Sequence, residues 1–232
     1  MEKQAANAGK RAAGYKAADL VKKGMVIGLG TGSTVFFAME RLQERISAGL
    51  EISGVPTSYQ TAIRARVYGI PLTTLDEHPV LDLAIDGADQ VDPQFRLIKG
   101  RGAAQTREKC VAAAARRFIV VVDASKLTPC LNAPVPVEVL PFALTPVMAK
   151  LKSMGGVPVV REAIKKDGPV ITDNGNFEID CAFGAIGDPE ALEAALVGIP
   201  GVIGSGLFTG FYKKTKVIAG DEKRCRVLKK IS

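Results

Sequence analysis

The sequence predicts an α/β fold: a doubly wound, mostly parallel, Rossmann-like sheet joined to a second, smaller α+β domain of ferredoxin-like order. Three observations carry this. Over the first 125 residues, short apolar runs alternate with stretches of helical spacing, the rhythm of βαβ units. One of those runs, Phe118 to Val122, is apolar throughout, as expected of a strand covered on both faces. From Pro134 the rhythm changes to strand, helix, strand, strand, helix, strand, which approximates a βαββαβ unit.

Taken in order, Met25 to Leu29 is the first strand. Phe36, Phe37, Met39, Leu42 and Ile46 follow it at helical spacing. Ile52 to Val55 reads as a second strand, Ser58 to Tyr68 as a helix, and Val80 to Ile85 as a third strand. A glycine-rich turn at Lys99 to Gly102 then feeds a helix with Glu108 near its start. In the second half, Pro136 to Val139, Val157 to Val160 and Val202 to Leu207 read as strands, and Thr145 to Met154 and Pro189 to Val197 as helices. Val170 to Cys181 supplies one or two strands around Asn174-Gly175, a hairpin signal. Lys216 to Ala219 is a strand able to return to the first sheet. The expected division is residues 1–131 plus 208–232 for the Rossmann-like domain and 132–207 for the smaller one.

With 232 residues, 47% of them hydrophobic and 24% charged, the chain has the composition of an ordinary folded protein with a substantial core. No apolar run reaches the roughly 18 residues of a spanning helix. Met1-Glu2-Lys3-Gln4 leads into no apolar signal core. No membrane association and a cytoplasmic location are therefore expected. Cys110, Cys130, Cys181 and Cys225 form no Cys-x-x-Cys pair, so they read as buried free thiols. His78, the one histidine, sits in the polar stretch Asp76-Glu77-His78-Pro79, which leaves no multi-histidine metal site.

The net charge of +7 is concentrated at the ends. Residues 1–25 hold six basic and two acidic side chains and residues 209–232 hold eight and two, so the interior is negative. Without interleaved aromatics or a helix-turn-helix pattern, this distribution suits attraction of an anionic substrate better than nucleic-acid reading. No nucleic-acid partner is expected.

Four stretches carry chemistry. Gly28-Leu29-Gly30-Thr31-Gly32-Ser33-Thr34 joins the first strand to the first helix. Its glycines let amides approach an anion, and the helix N-terminus adds donors and a favourable dipole, so a phosphate cradle follows. A dinucleotide fingerprint wants glycine where Ser33 stands, and a P-loop wants a lysine that is missing here. Asp86-Gly87-Ala88-Asp89 ends the third strand in two acids, at the edge where ligands collect in open α/β sheets. These acids suit sugar hydroxyls, an all-oxygen metal site or simply a turn. Lys99-Gly100-Arg101-Gly102 offers a second anion-binding turn with a carboxylate, Glu108, behind it. Asp123-Ala124-Ser125-Lys126 stands at a further strand end.

These stretches, with Pro136-Val-Glu-Val139 and Thr172-Asp-Asn-Gly-Asn176, resemble in order the type A ribose-5-phosphate isomerases over nearly the whole chain. The resemblance implies interconversion of D-ribose 5-phosphate and D-ribulose 5-phosphate through an enediolate, in the non-oxidative pentose phosphate pathway. It implies substrate contacts from Thr31, Gly32, Ser33, Thr34, Asp86, Gly87, Ala88, Asp89, Lys99, Gly100, Arg101, Gly102 and Lys126. Glu108 is the implied proton acceptor. A homodimer or homotetramer is implied as well, and the apolar smaller domain is the candidate interface. Gln90, where the family is associated with Glu, and Arg101, where many members have glycine, depart from the pattern.

The residues fit this chemistry independently. Moving a proton between C1 and C2 needs one base and a group that stabilises the developing oxyanion. Glu108 suits the first role and Lys99 or nearby backbone amides the second, while Asp86 and Asp89 can orient hydroxyls and help open the ring. No cofactor and no metal is required. The rivals are a sugar-phosphate deaminase or lactonase, a sugar-phosphate sensor and a basic nucleic-acid binder.

Overall fold

The structure is a computed structural model that describes residues 2–221 and 224–230, with side chains from residue 7 onward. The chain divides into two compact units. The first holds Met1–Ala88, Arg107–Leu127 and Phe211–Ser232, and the second Asp89–Thr106 and Thr128–Gly210. This division differs from the sequence-based one mainly at residues 89–106, which cluster with the second unit, and by a few residues at 128–131 and 208–210. The reason is a small sheet that local sequence does not announce, described below.

In the first unit, α1 (Glu2–Ala18) precedes β1 (Val26–Leu29), α2 (Ser33–Ser47), β2 (Ser53–Pro56), α3 (Tyr59–Val67) and β3 (Leu83–Asp86). After the excursion through β4 (Gln90–Val91) and β5 (Leu97–Ile98) come α4 (Gln105–Ala114) and β6 (Phe118–Asp123). The first two residues of α4 fall in the second unit and the rest in the first. The second unit continues through β7 (Val135–Val139), α5 (Leu144–Ser153), β8 (Val157–Val160), β9 (Phe177–Ala182), α6 (Pro189–Val197), β10 (Val202–Ser205) and β11 (Leu207–Phe208). β12 (Thr215–Gly220) and β13 (Cys225–Val227) complete the first.

The large sheet has the order β13-β12-β6-β3-β1-β2. All its neighbours are parallel except β12 and β13. Ile27, Leu29, Leu83, Ile85, Ile119, Val121 and Ile218 from its strands share one core with Val35, Met39 and Leu42 of α2. β6 is buried at every position, which is why its sequence is apolar without alternation. α1 has no counterpart in the sequence reading. It buries Ala13, Ala17 and Ala18 rather than large side chains, and Gly9 lies so close to Gly220 of β12 that neither position has room for a Cβ. Such a contact leaves no hydrophobic periodicity to read.

In the second unit, β7, α5, β8, β9, α6 and β10 follow the expected βαββαβ order. Their antiparallel sheet runs β10-β7-β9-β8. Val135, Val137, Val139, Ile179 and Cys181 pack with Val147, Leu151 and Leu196 of the helices. The alternating positions Glu138, Glu178 and Asp180 therefore point to the other face. The strand expected over 202–207 is two strands, because Gly206 carries the chain from pairing with β7 to pairing with β5. β11, β5 and β4 form the small sheet that draws residues 89–106 into this unit.

Only Cys181 of the four free cysteines is buried; Cys110 is exposed and Cys130 and Cys225 are half-buried. Burial pushes the Cys181 thiol up to about 11. His78 lies in a turn, its amide donating to the Thr74 carbonyl at 3.0 Å. No described helix is long and apolar enough to cross a membrane.

Candidate active site

In the first unit, the carboxyl ends of four adjacent strands, β2, β1, β3 and β6, carry the polar residues. The Gly30–Ser33 loop leaves β1 for α2, whose N-cap, Gly32, has φ 121° and supplies no side-chain cap. The first-turn amides of α2 are thus not claimed by a capping side chain, the arrangement an anion requires. Asp86, 2% exposed, closes β3. Its Oδ1 accepts from the amides of Thr31 at 3.2 Å and Gly87 at 2.7 Å. One carboxylate oxygen therefore ties the glycine loop to the acidic turn.

The Thr31 hydroxyl faces three others, those of Thr57 at 3.0 Å, Ser58 at 2.8 Å and Thr61 at 3.1 Å. Each hydroxyl has one proton to give. Thr61 gives its proton to the Gly30 carbonyl at 2.8 Å, and Ser58 gives its own to Thr61 at 3.1 Å. With those two protons spent, Thr31 can give its one proton to Ser58 or to Thr61, which leaves Thr57 to donate to Thr31, and the chain ends on the Gly30 carbonyl. Thr31 contributes its side chain to holding the loop. Thr57, Ser58 and Thr61, all buried, were not identified from sequence. Their signal was a Thr-Ser-x-x-Thr run at a strand end, which reads equally as a helix cap; Ser58 is indeed the N-cap of α3.

Glu108 lies in the first turn of α4 and is 5% exposed. One turn later, Val111 fills the space over Gly28 of β1, where a Cβ would overlap it. The Ala114 carbonyl accepts from Leu81 just before β3, at 3.0 Å. The helix therefore runs back along the sheet with its N-terminal turn at the carboxyl ends of the strands. Arg107 stacks over the Tyr59 ring at 4.9 Å. Beyond β6, Asp123 accepts from the Ser125 amide at 3.1 Å and from its hydroxyl, shaping the short 3-10 turn that presents half-buried Lys126.

Ala88 ends its segment of the first unit, and the remaining expected residues stand in the second. Lys99 is 2% exposed, its amide bonded to the Gly206 carbonyl at 2.9 Å and its Nζ 5.4 Å from the centre of the Phe208 ring. Asp89 Oδ2 accepts from the Arg101 amide at 3.0 Å. Arg101 itself projects outward, 81% exposed, with its Nε 3.9 Å from Asp89 Oδ1. Gly100 has φ 103° and lies against Gln105 and Pro136. Gln90 is a local brace: its amide group donates to Asn132 Oδ1 at 2.6 Å and accepts from the amides of Asn132 and Ala133. An amide can do both, which a carboxylate cannot.

The two remaining motifs meet each other. Glu138 of Pro136-Val-Glu-Val139 accepts from Thr172 Oγ1 at 2.6 Å, Asn174 Nδ2 at 3.0 Å and Asn176 Nδ2 at 2.8 Å. This ties the turn before β9 to β7. Among the described residues no group of three or more His, Cys, Asp or Glu side chains is placed to hold a metal ion.

The family model for ribose 5-phosphate isomerase A (phosphoriboisomerase A) matches residues 53–224. Ribose-5-phosphate isomerase A of Methanoregula boonei is 67% identical over 95% of this chain and 93% of its own. The solved structure of ribose 5-phosphate isomerase A from Methanocaldococcus jannaschii superposes with a TM-score of 0.90 at 46% identity, covering 95% of this chain and 98% of that one. A D-ribose-5-phosphate isomerase in complex with phospho-erythronic acid superposes at 0.91 with 44% identity, covering 95% and 97%. The chain belongs to the ribose 5-phosphate isomerase A family.

Proposed function

We propose that this chain interconverts D-ribose 5-phosphate and D-ribulose 5-phosphate, with Glu108 moving the proton between C1 and C2 through an enediolate. The observation that carries the reading is Glu108 itself: a buried carboxylate in the first turn of α4, in a chain of this family. A buried base beside helix-terminal amides works where charge interactions are strong.

The other roles follow from chemistry. Lys99 stabilises the oxyanion that develops as the proton leaves carbon. Asp86, fixed by the Thr31 and Gly87 amides, orients a hydroxyl and assists ring opening, and Asp89 does the same from its own turn. The phosphate rests on the cradle of Gly30, Thr31, Gly32, Ser33 and Thr34 and on Lys126, with Gly87, Ala88, Gly100, Arg101 and Gly102 supplying backbone around the sugar. The ligand of the D-ribose-5-phosphate isomerase neighbour supports the isomerase reading. Phospho-erythronic acid has two oxygens on one planar carbon, as an enediolate has adjacent oxygens on planar carbons. We also propose a cytoplasmic homodimer or homotetramer, assembled through the smaller domain.

The test is a coupled assay of ribose 5-phosphate conversion without added metal or nucleotide. Turnover that Glu108→Gln lowers by about 10²-fold or more supports the reading. A wild-type protein that binds the sugar phosphate and leaves it unchanged refutes it in favour of a sensor.

A further inference from the structure

The face of the β10-β7-β9-β8 sheet opposite its helices carries buried charge that the proposed reaction does not use. Glu138 and Glu178 are cross-strand partners, 1% and 0% exposed. Glu138 has its three side-chain donors. Glu178 faces Gln105, whose Nε2 lies 2.7 Å from Oε1 and 2.8 Å from Oε2. Gln105 is fully buried, and its own Oε1 has no hydrogen-bond partner among the described residues.

A carboxylate has nothing to offer that amide oxygen. A carboxylic acid does: with a rotation of the Gln105 amide, the acid hydroxyl donates to Oε1 while Nε2 donates to the remaining acid oxygen. Both buried groups are then satisfied, and leaving either unsatisfied costs about 1–3 kcal/mol. The surroundings favour the acid. Gln105 from α4, Glu138 from β7, Asp180 along β9 and Arg161 just after β8 all face Glu178. Burial is the largest influence. With help from Glu138 and Asp180 it overcomes the Gln105 hydrogen bond and the Arg161 charge, pushing Glu178 up to about 8.

Arg161 completes the set. Asp180 holds it through a fork, Nε to Oδ2 at 2.8 Å and Nη2 to Oδ1 at 2.5 Å. Its Nη1 reaches the carbonyl oxygens of Gly100 at 2.9 Å and Arg101 at 3.2 Å. Burial works against the charge on Arg161, but Asp180 outweighs it and the pKa is raised. Arg161 is a permanent cation on the back of the Lys99–Gly102 turn.

We propose that Glu178 and Arg161 are positioning residues for the isomerase reaction: Glu178, as the neutral acid, pairs with Gln105 and fixes the start of α4, and Arg161 fixes the Lys99–Gly102 turn. The proposal rests on the isomerase reading, since Lys99 belongs to that turn and Glu108 follows Gln105 by three residues in the same helix.

Two measurements test it. The first is the pH profile of kcat for wild type, Glu178→Gln and Glu178→Ala. Glutamine can donate and accept as the acid does, so Glu178→Gln holds its kcat into the alkaline range, where wild-type kcat falls as Glu178 ionises. Glu178→Ala loses on the order of tenfold to 10²-fold across the range, the cost of misplacing catalytic groups. Coincident alkaline limbs for wild type and Glu178→Gln overturn the proposal. The second is the infrared carbonyl band of a protonated carboxylic acid, which needs no activity and no Ala variant. Wild type at pH 7 shows one band more than Glu178→Gln, and it disappears as pH passes about 8. Its absence overturns the proposal even in a protein that fails the isomerase assay, and its presence in such a protein leaves the acid–amide pair standing while the isomerase reading falls.

Discussion

Gly30 and Asp86 are fitted to each other across neighbouring strand ends: a Cβ on residue 30 would stand 2.7 Å from Asp86 Cα and overlap its carboxyl group. The same carboxylate accepts from the amide of Thr31, the next residue. The absence of a side chain at one position thus lets the other organise the loop.

Gly30→Ala is therefore expected to displace either the loop or Asp86. The protein should remain folded, since Gly30 lies in the loop that leaves β1 and outside the hydrophobic core, while kcat falls on the order of 10²-fold from misplacement of catalytic groups. Steady-state kinetics beside a circular dichroism spectrum check this. Near-normal kcat would show that Asp86 has slack the structure does not display.

Glu108→Gln removes the proposed base and keeps its size. A positioned general base contributes about 10² to 10⁴ in rate, so kcat should drop by that factor with KM little changed. Near-normal turnover would take Glu108 out of the role.

Lys126 and the basic tail separate short-range from long-range charge. Lys126→Ala should raise KM more than it lowers kcat, because a contact to the non-reacting phosphate is the same in ground and transition states. Charges beyond a Debye length of about 8 Å are screened at physiological salt. Neutralising Lys229 and Lys230 should then change only the salt dependence of association. Equal losses from the two variants would mean that the anion site lies elsewhere.

Glu178 also makes stability depend on pH, and the sign is set by its raised pKa. The native state keeps the proton up to about 8, whereas an unfolded Glu releases it near 4.3. Between those values the folded protein binds more protons, so this contribution is full at acid pH and is lost as pH rises toward 8. Thermal unfolding between pH 5 and 8.5 should show a fall in Tm for wild type that Glu178→Gln flattens. Parallel curves for the two proteins would place the Glu178 pKa near its ordinary value.

Much of this molecule is legible locally. The strand at 118–123, the helix at 189–197 and the glycine loop after the first strand follow from period, caps and turn residues within a few positions of one another. The stretches around Asp86 and Lys126 read as strand ends because glycine, alanine and serine replace the bulky residues before them. The α1 helix escaped this reading because it packs through alanine and glycine, which bury backbone against backbone and leave no apolar stripe.

What the sequence by itself determined is the order of elements, the two-part organisation, the resemblance to a family and the residues that stand at strand ends. Tertiary structure alone decided which distant groups complete one another: Thr57, Ser58 and Thr61 under Thr31, Gly206 diverting a strand into the small sheet, Gln90 bracing residues 132 and 133, and Glu178 facing Gln105 across 73 positions. The division has a physical basis. Backbone preference and periodicity act over a turn of helix or a few residues of strand, so they are written in neighbours. A buried hydrogen bond or a raised pKa depends on what the fold brings within about 3 Å, and that proximity exists only once the chain has closed on itself.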